Sequence, residues 1–199
     1  MPRTIGITFD YRCPFARNAH EAVLSAIDSG HPVGTEIDWK FVAFSLDQSH
    51  VEEGAAPVWE REPAARGSGI LALEWGVAIR DSFAEHFAAA HRALFAIRHD
   101  HGKRQHEVEH LEAAVAGVGL DPVAVAAEVA SGRPLATIAR EHTDAVDRYA
   151  VFGVPTFIEH EVATFVRFME RDRVDDLERL ITLLDWTNLN ELKRTRLPR

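Results

Sequence analysis

Apolar and polar positions follow different rhythms in different parts of this chain. Residues 4 to 9, Thr-Ile-Gly-Ile-Thr-Phe, are β-branched and aromatic with alternating character, which predicts a buried strand. Asp10-Tyr11-Arg12-Cys13-Pro14 breaks it, and Pro14 suits the first turn of a helix, where a missing N–H costs nothing. Ala16, Ala19, Val23, Leu24 and Ile27 follow at helical spacing as far as Ser29-Gly30-His31-Pro32. Residues 36 to 44 alternate and then become wholly apolar, as a second strand entering the centre of a sheet would. From about Pro57 to His142 the chain is rich in Ala, Glu and Arg and reads mostly as helix. Gly67-Ser68-Gly69, His99-Asp100-His101-Gly102 and Gly119-Leu120-Asp121-Pro122 divide it into about four helices, one of them over residues 122 to 130. Another helix is expected from Thr137 to Ala150, strands over 154 to 158 and 162 to 166, and a last amphipathic helix carrying Val174, Leu177, Leu180, Ile181 and Leu184 on one stripe. The pattern predicts an α/β domain, residues 1–50 and 143–199, interrupted by an all-helical insertion at 51–142.

A length of 199 residues fits one domain with such an insertion, and 46% hydrophobic with 27% charged residues is an ordinary globular composition that excludes disorder. With 22 basic and 31 acidic residues the net charge is −9, which argues against broad attraction to nucleic acid or anionic lipid and favours small-molecule or protein partners. No run of about 18 apolar residues occurs, and Met1 to Thr4 lead straight into the first strand, so the expectation is a cytoplasmic protein without a membrane partner.

The chain has a single cysteine, which excludes an intramolecular disulfide and an all-cysteine zinc site. Cys13 stands between a strand and a helix, where unpaired backbone N–H groups and the positive end of the helix dipole favour thiolate over thiol. Arg12 and Arg17 flank it and add to that field. An inert, small apolar role is an equal alternative at a bare junction of this kind.

A second feature breaks the tie. Proline is normally excluded from central strands, so Val154-Pro155-Thr156-Phe157 indicates a cis X-Pro bond or a bend. Gly-Val-Pro-Thr-Phe at 153 to 157, paired with Cys-Pro-Phe-Ala at 13 to 16, resembles the DsbA-like branch of the thioredoxin-fold proteins. Phe41 to Leu46, Trp75-Gly76, His106-Glu107 and Glu191 to Arg196 narrow the resemblance to actinobacterial DsbA-like proteins that include mycothiol-dependent reductases. The resemblance implies a thioredoxin-like fold with a helical domain between the second and third strands and Cys13 as nucleophile. It implies Pro14, Phe15, Ala16, Val154 and Pro155 as the thiol-binding surface. It also implies mycothiol or a similar low-molecular-weight thiol as co-substrate, with no tightly bound cofactor, and is compatible with a homodimer. Disulfide-exchanging members carry Cys-Pro-x-Cys, whereas here the fourth position is Ala16, so turnover within a dithiol is impossible and redox chemistry would be monothiol. The related chromene-carboxylate isomerases and kappa-class glutathione transferases commonly place Ser at the Cys13 position and use it to orient a bound thiol. Three readings follow: a monothiol oxidoreductase, a thiol-dependent isomerase or transferase, and a catalytically degenerate binding module. The first predicts a Cys13 pKa well below that of a free thiol.

Other residues compete for attention. Six of the eleven histidines lie between 86 and 110, and His106-Glu107-Val108-Glu109-His110 matches H-E-x-x-H, which on a helix places both imidazoles on one face. Beyond Glu128, eighteen residues on, no third ligand follows, and the motif is read as a solvated helix face with no metal. His20, two helical turns after Cys13, reads as a structural or rim residue, and Trp39, Trp59, Trp75 and Trp186 as core or pocket-wall groups. The tail from Glu191 to Arg199 has four basic residues and one acidic one, suited to an anionic cofactor, to the core or to solvent.

Overall fold

The structure, a computed structural model, describes residues 2–186, 188 and 190–194. Strand β1 (Arg3–Phe9) runs parallel to β2 (Ile37–Ala43), and helix α1 (Pro14–Asp28) with the one-turn α2 (Pro32–Thr35) makes the crossover between them. Strands β3 (Thr156–Glu159) and β4 (Val162–Phe165) form an antiparallel hairpin, and β3 pairs antiparallel with β1, so the order is β2-β1-β3-β4. The second strand is therefore an edge strand and not, as its apolar end suggested, a central one. That end is apolar because helices cover it: Phe41 packs on Phe87 with ring centroids 5.1 Å apart, and Phe44 on His142 at 4.3 Å.

Five helices lie between β2 and β3: α3 (Ile70–Ser82), α4 (Phe87–His99), α5 (Val108–Ala116), α6 (Pro122–Ala130) and α7 (Arg133–Tyr149). The break between α3 and α4 carries neither Gly nor Pro. It is made by Phe83 (φ −139°, ψ 49°) and a 3-10 turn at Ala84–His86, which is why the residue pattern showed about four helices. Residues 44 to 69 form only short 3-10 turns, where Pro57, Pro63 and three glycines defeat the helix composition otherwise favours. Asp121 does cap α6, its carboxylate accepting the Val123 N–H at 2.9 Å. Helix α7 starts at Arg133, with Pro134 in its first turn, and passes unbroken through 142/143, so that division falls inside a helix. Among the described residues no helix is long and apolar enough to cross a membrane.

Two cores result. Ile5, Ile7, Val23 and Phe157 pack against Leu177 and Leu180 of α8 (Val174–Leu184), filling the space between sheet and outer helices. Phe9, Tyr11, Cys13 and Ala16 belong instead to the core shared with α3, α4 and α7, so the loop after β1 is closed by the insertion. A polar latch ties that insertion to the edge strand. Arg80 of α3 donates to Phe41 O at 2.5 Å and pairs with Glu141 of α7 at 2.8 Å, while Glu141 accepts the Ala43 N–H at 2.7 Å.

Candidate functional site

The β1–α1 loop is fixed before the cysteine by a buried carboxylate. Asp10 accepts the N–H groups of Arg12 and Leu46, both at 2.8 Å, and its carbonyl accepts the Cys13 N–H at 3.0 Å. Cys13 is the N-cap residue of α1, with extended backbone (φ −90°, ψ 117°), and its Sγ accepts the Ala16 N–H at 3.4 Å. On its other side Sγ donates to the carbonyl of Val154 at 3.3 Å. The Val154–Pro155 peptide is cis and buried, and Pro155 lies just before β3 rather than within its ladder. Thr156 anchors this loop, donating its N–H to Thr8 Oγ1 at 2.8 Å and its hydroxyl to Gly153 O at 2.7 Å. Cys13, Ala16, Val154 and Pro155 thus meet; Pro14 is exposed on the first turn, and Phe15 is half-buried under the Arg167 guanidinium, 5.4 Å from its ring centroid.

The thiol is only 9% exposed, and burial pushes its pKa above the ordinary value. The N–H groups of Ala16 and Phe15 pull it down, Asp10 pushes it up and Arg167 pulls it down, but burial outweighs them. The expected low pKa is overturned. Arg12 and Arg17 do not supply the expected field because carboxylates claim them: Arg12 pairs with Asp47 at 2.8 Å, and Arg17 with Glu21 and Asp100 at 3.2 and 2.5 Å. In the resting state Cys13 is a thiol whose proton points at Val154.

His20 is fully buried and structural. Its Nε2 faces only a carbonyl, Thr8 O at 3.1 Å, so Nε2 carries the proton and Nδ1 accepts from His91 Nε2 at 3.0 Å. His91 Nδ1 in turn accepts the Tyr11 hydroxyl at 2.7 Å. This one-directional chain links the loop before Cys13 to Thr8, which also holds Thr156. Burial lowers both histidines, His20 to about 3, so both are neutral. Gly76 makes room for it: a Cβ there would stand 2.2 Å from Tyr11 Oη.

The H-E-x-x-H stretch does not lie on one helix face. Glu107 is the N-cap residue of α5 and His106 precedes the helix, so the two imidazoles lose their one-turn spacing. Among the described residues no cluster of three His, Cys, Asp or Glu is arranged to hold a metal. Trp39 and Trp75 are core and Trp59 packs on His142 at 5.6 Å, but Trp186 is 58% exposed. Residues 190 to 194 of the tail are exposed, while Thr195 to Arg199 lie outside the described residues. A cleft of about 960 Å³ lies at the Arg3–Gly6 end of β1, away from Cys13, and several of its charges pair with one another, Arg3 with Glu159 and Asp185.

A sheet of this order, a crossover from a capped cysteine, a cis proline facing it and helices inserted between β2 and β3 define the architecture. The fold is that of the DsbA-like thioredoxin proteins. A 2-hydroxychromene-2-carboxylate isomerase superposes with a TM-score of 0.61 at 18% identity, over 93% of this chain and 97% of the other. A probable DsbA oxidoreductase from Streptomyces coelicolor gives 0.60 at 15% identity over 96% and 93%. The thiol-disulfide exchange protein alpha-DsbA2 from Wolbachia pipientis gives 0.59 at 16% over 92% and 82%. No protein-family model and no curated protein sequence matches the chain. Asp10, Tyr11 and Arg167 escaped the sequence reading. Asp10 and Tyr11 sit in the Asp-Tyr-Arg-Cys run, where the residue pattern signals only a strand break. Arg167, 154 residues after Cys13, left no local signal.

Proposed function

We propose that the protein is a monothiol oxidoreductase, exchanging Cys13 with disulfides of low-molecular-weight thiols, mycothiol or a similar one. The observation that supports this is the meeting of Cys13 Sγ with the Val154 carbonyl beside Pro155, with Ala16 where a second thiol would stand. In the first step Cys13 loses its proton to solvent and Sγ attacks a disulfide RS–SR′. A Cys13–SR bond forms, the S–S bond breaks, and R′S⁻ leaves and takes up a proton. In the second step an external thiol attacks Cys13–SR and regenerates Cys13, leaving as a new disulfide with R. The Ala16 and Phe15 N–H groups face the thiolate of both steps, and Arg167 adds a cation nearby. Because burial favours the protonated form, loss of the proton is the costly part of the first step. Intact-mass analysis after incubation with mycothiol disulfide or glutathione disulfide is expected to show one adduct. It should map to Cys13, be released by excess thiol and be absent in Cys13→Ser. No adduct at about pH 8, where an ordinary thiol is substantially ionised, overturns the proposal.

One observation favours a second reading. A protonated Sγ is a hydrogen-bond donor, the role a serine would fill, and suits orientation of a bound thiol in an isomerase or transferase. Cys13→Ser keeps both a donor and a helix cap, so turnover surviving that change while exchange is lost selects the second reading.

A further inference from the structure

On the insertion, beside the loop that precedes Cys13, lies a second cleft of about 390 Å³, walled by Ile70 and Leu71 and bordered by Arg66, Ser68, Glu74 and His106. Ser68 Oγ is 3.5 Å from Arg12 Nη1, and Gln105, next to His106, donates to Tyr11 O at 3.1 Å. Two parts of the rim are therefore clamped to the residues immediately before the thiol. The approach is close. A Cβ on Gly69 would be 2.7 Å from Arg12 Nε, and one on Gly67, at φ +99°, 2.3 Å from Asp47 Cγ, so Gly67-Ser68-Gly69 is a contact surface as well as the lead-in to α3.

Glu74 is the anomaly. It is 6% exposed, and among the described residues no hydrogen bond reaches its carboxylate; Arg66 Nη1 stands 3.6 Å from Oε1, too far for one. Burial raises its pKa to about 7, only partly offset by Arg66. A buried carboxylate without a donor costs stability, and this one borders a cleft from which a donor can approach. Arg66 and Glu74 roughly cancel in charge, so net charge selects neither an anion nor a cation. A neutral hydroxyl satisfies both, donating to the carboxylate and accepting from the guanidinium or Ser68. Ile70 and Leu71 offer an apolar wall for carbon.

We propose that this cleft binds a hydroxyl-rich group, a sugar or other polyol, carried by the small thiol that reacts at Cys13, with Glu74 accepting an O–H and Ile70 and Leu71 taking the C–H face. The link to a thiol rests on the reading of Cys13 given above; the hydroxyl site does not. Saturation-transfer NMR with methyl β-D-glucopyranoside, which lacks a thiol, separates the two. The wild-type protein is expected to show transfer. Glu74→Leu is expected to weaken binding about tenfold and Glu74→Gln less, since a charge-assisted hydrogen bond is lost in one and made neutral in the other. Thermal unfolding of both variants should occur no lower than in wild type, because the change relieves a buried carboxylate that has only a loose ion pair with Arg66 and no hydrogen bond, an outcome a purely structural Glu74 would not give. No transfer in wild type, or equal transfer in a folded Glu74→Leu, overturns the sugar site. The ratio of Cys13 adduct formation with 1-thio-β-D-glucose disulfide to that with 2-hydroxyethyl disulfide should also fall in Glu74→Leu; an unchanged ratio overturns the link to Cys13. Failure of Cys13 to form any adduct counts against the oxidoreductase reading, and against this link, but leaves the glucoside result intact.

Discussion

The loop from Asp10 to Ala16 has two unlike neighbours. On the side of His91 and His20, the side-chain hydrogen bonds run in sequence from Tyr11 to Thr8, in a core of Phe9, Phe41, Phe87 and Phe95 rings. On the side of Ser68 and Gln105, Arg12 Nε and Gln105 Oε1 are buried without hydrogen-bond partners among the described residues, and Glu74 meets only a distant arginine. Both sides are polar and both are buried. The difference teaches where to look for chemistry: the paired side fixes geometry, and the unpaired side has capacity left for a ligand.

The contrast breaks most visibly at His91. His91→Leu leaves the Tyr11 hydroxyl and His20 Nδ1 without partners in a dry core, and should lower stability by about 3–5 kcal/mol in urea unfolding. A loss under about 1 kcal/mol would mean that the chain carries little of the fold. Acid acts on the same side. His20 titrates at about 3 when folded and near its ordinary value when unfolded, so the unfolded state binds more protons between those limits. Its contribution is complete above the unfolded pKa and is lost as pH falls toward 3, about 3 kcal/mol by pH 4. His142, lowered to about 4 by burial, adds to the same loss. Glu74 has the opposite sign. Its folded pKa is raised to about 7, so its contribution is full below the unfolded carboxyl value and is lost as pH rises through about 7. Stability against pH should therefore rise from the acid side and then sag near neutrality, and Glu74→Leu should remove only the sag.

Smaller effects sharpen the picture at the thiol itself. Iodoacetamide should alkylate Cys13 more slowly than free cysteine at neutral pH, because burial raises its pKa, with the rate still climbing where free cysteine has levelled off. Asp10→Asn removes a charge that raises the thiol pKa, and should speed alkylation a few-fold while costing about 1–2 kcal/mol of stability from the altered N–H contacts. Slower alkylation in Asp10→Asn would show that placement of Cys13, rather than charge, is what Asp10 contributes.

Much of the fold was legible because it depends on local pattern. Alternation in residues 4 to 9, Pro14 after Cys13, Asp121-Pro122 and the stripe from Val174 to Leu184 each specify an element from within a few residues. The pairing of Cys13 with Val154-Pro155 was legible only as a resemblance, since 141 residues separate Cys13 from Val154. What failed depends on neighbours that sequence does not show. The edge position of β2 was hidden by helices that cover its apolar end, and the thiol pKa turned on burial, a property of the packed core rather than of Cys13 or its flanking arginines. H-E-x-x-H implies one helix face, but α5 begins at Val108, two residues after His106. Glu74 gave no signal at all, being one more glutamate in a helical stretch until its burial is known.

The Arg80–Glu141 latch also bears on what can join the sheet. Strand β2 is an outer edge, and an uncovered edge offers N–H and C=O groups on which another strand can build. Here Arg80 occupies the Phe41 carbonyl and Glu141 the Ala43 amide, with both side chains only 15% exposed. A strand arriving from another molecule would have to pull apart a buried ion pair to find a bonding group at this end. The two residues that fasten the insertion to the domain thus also guard it against edge-to-edge aggregation on that side.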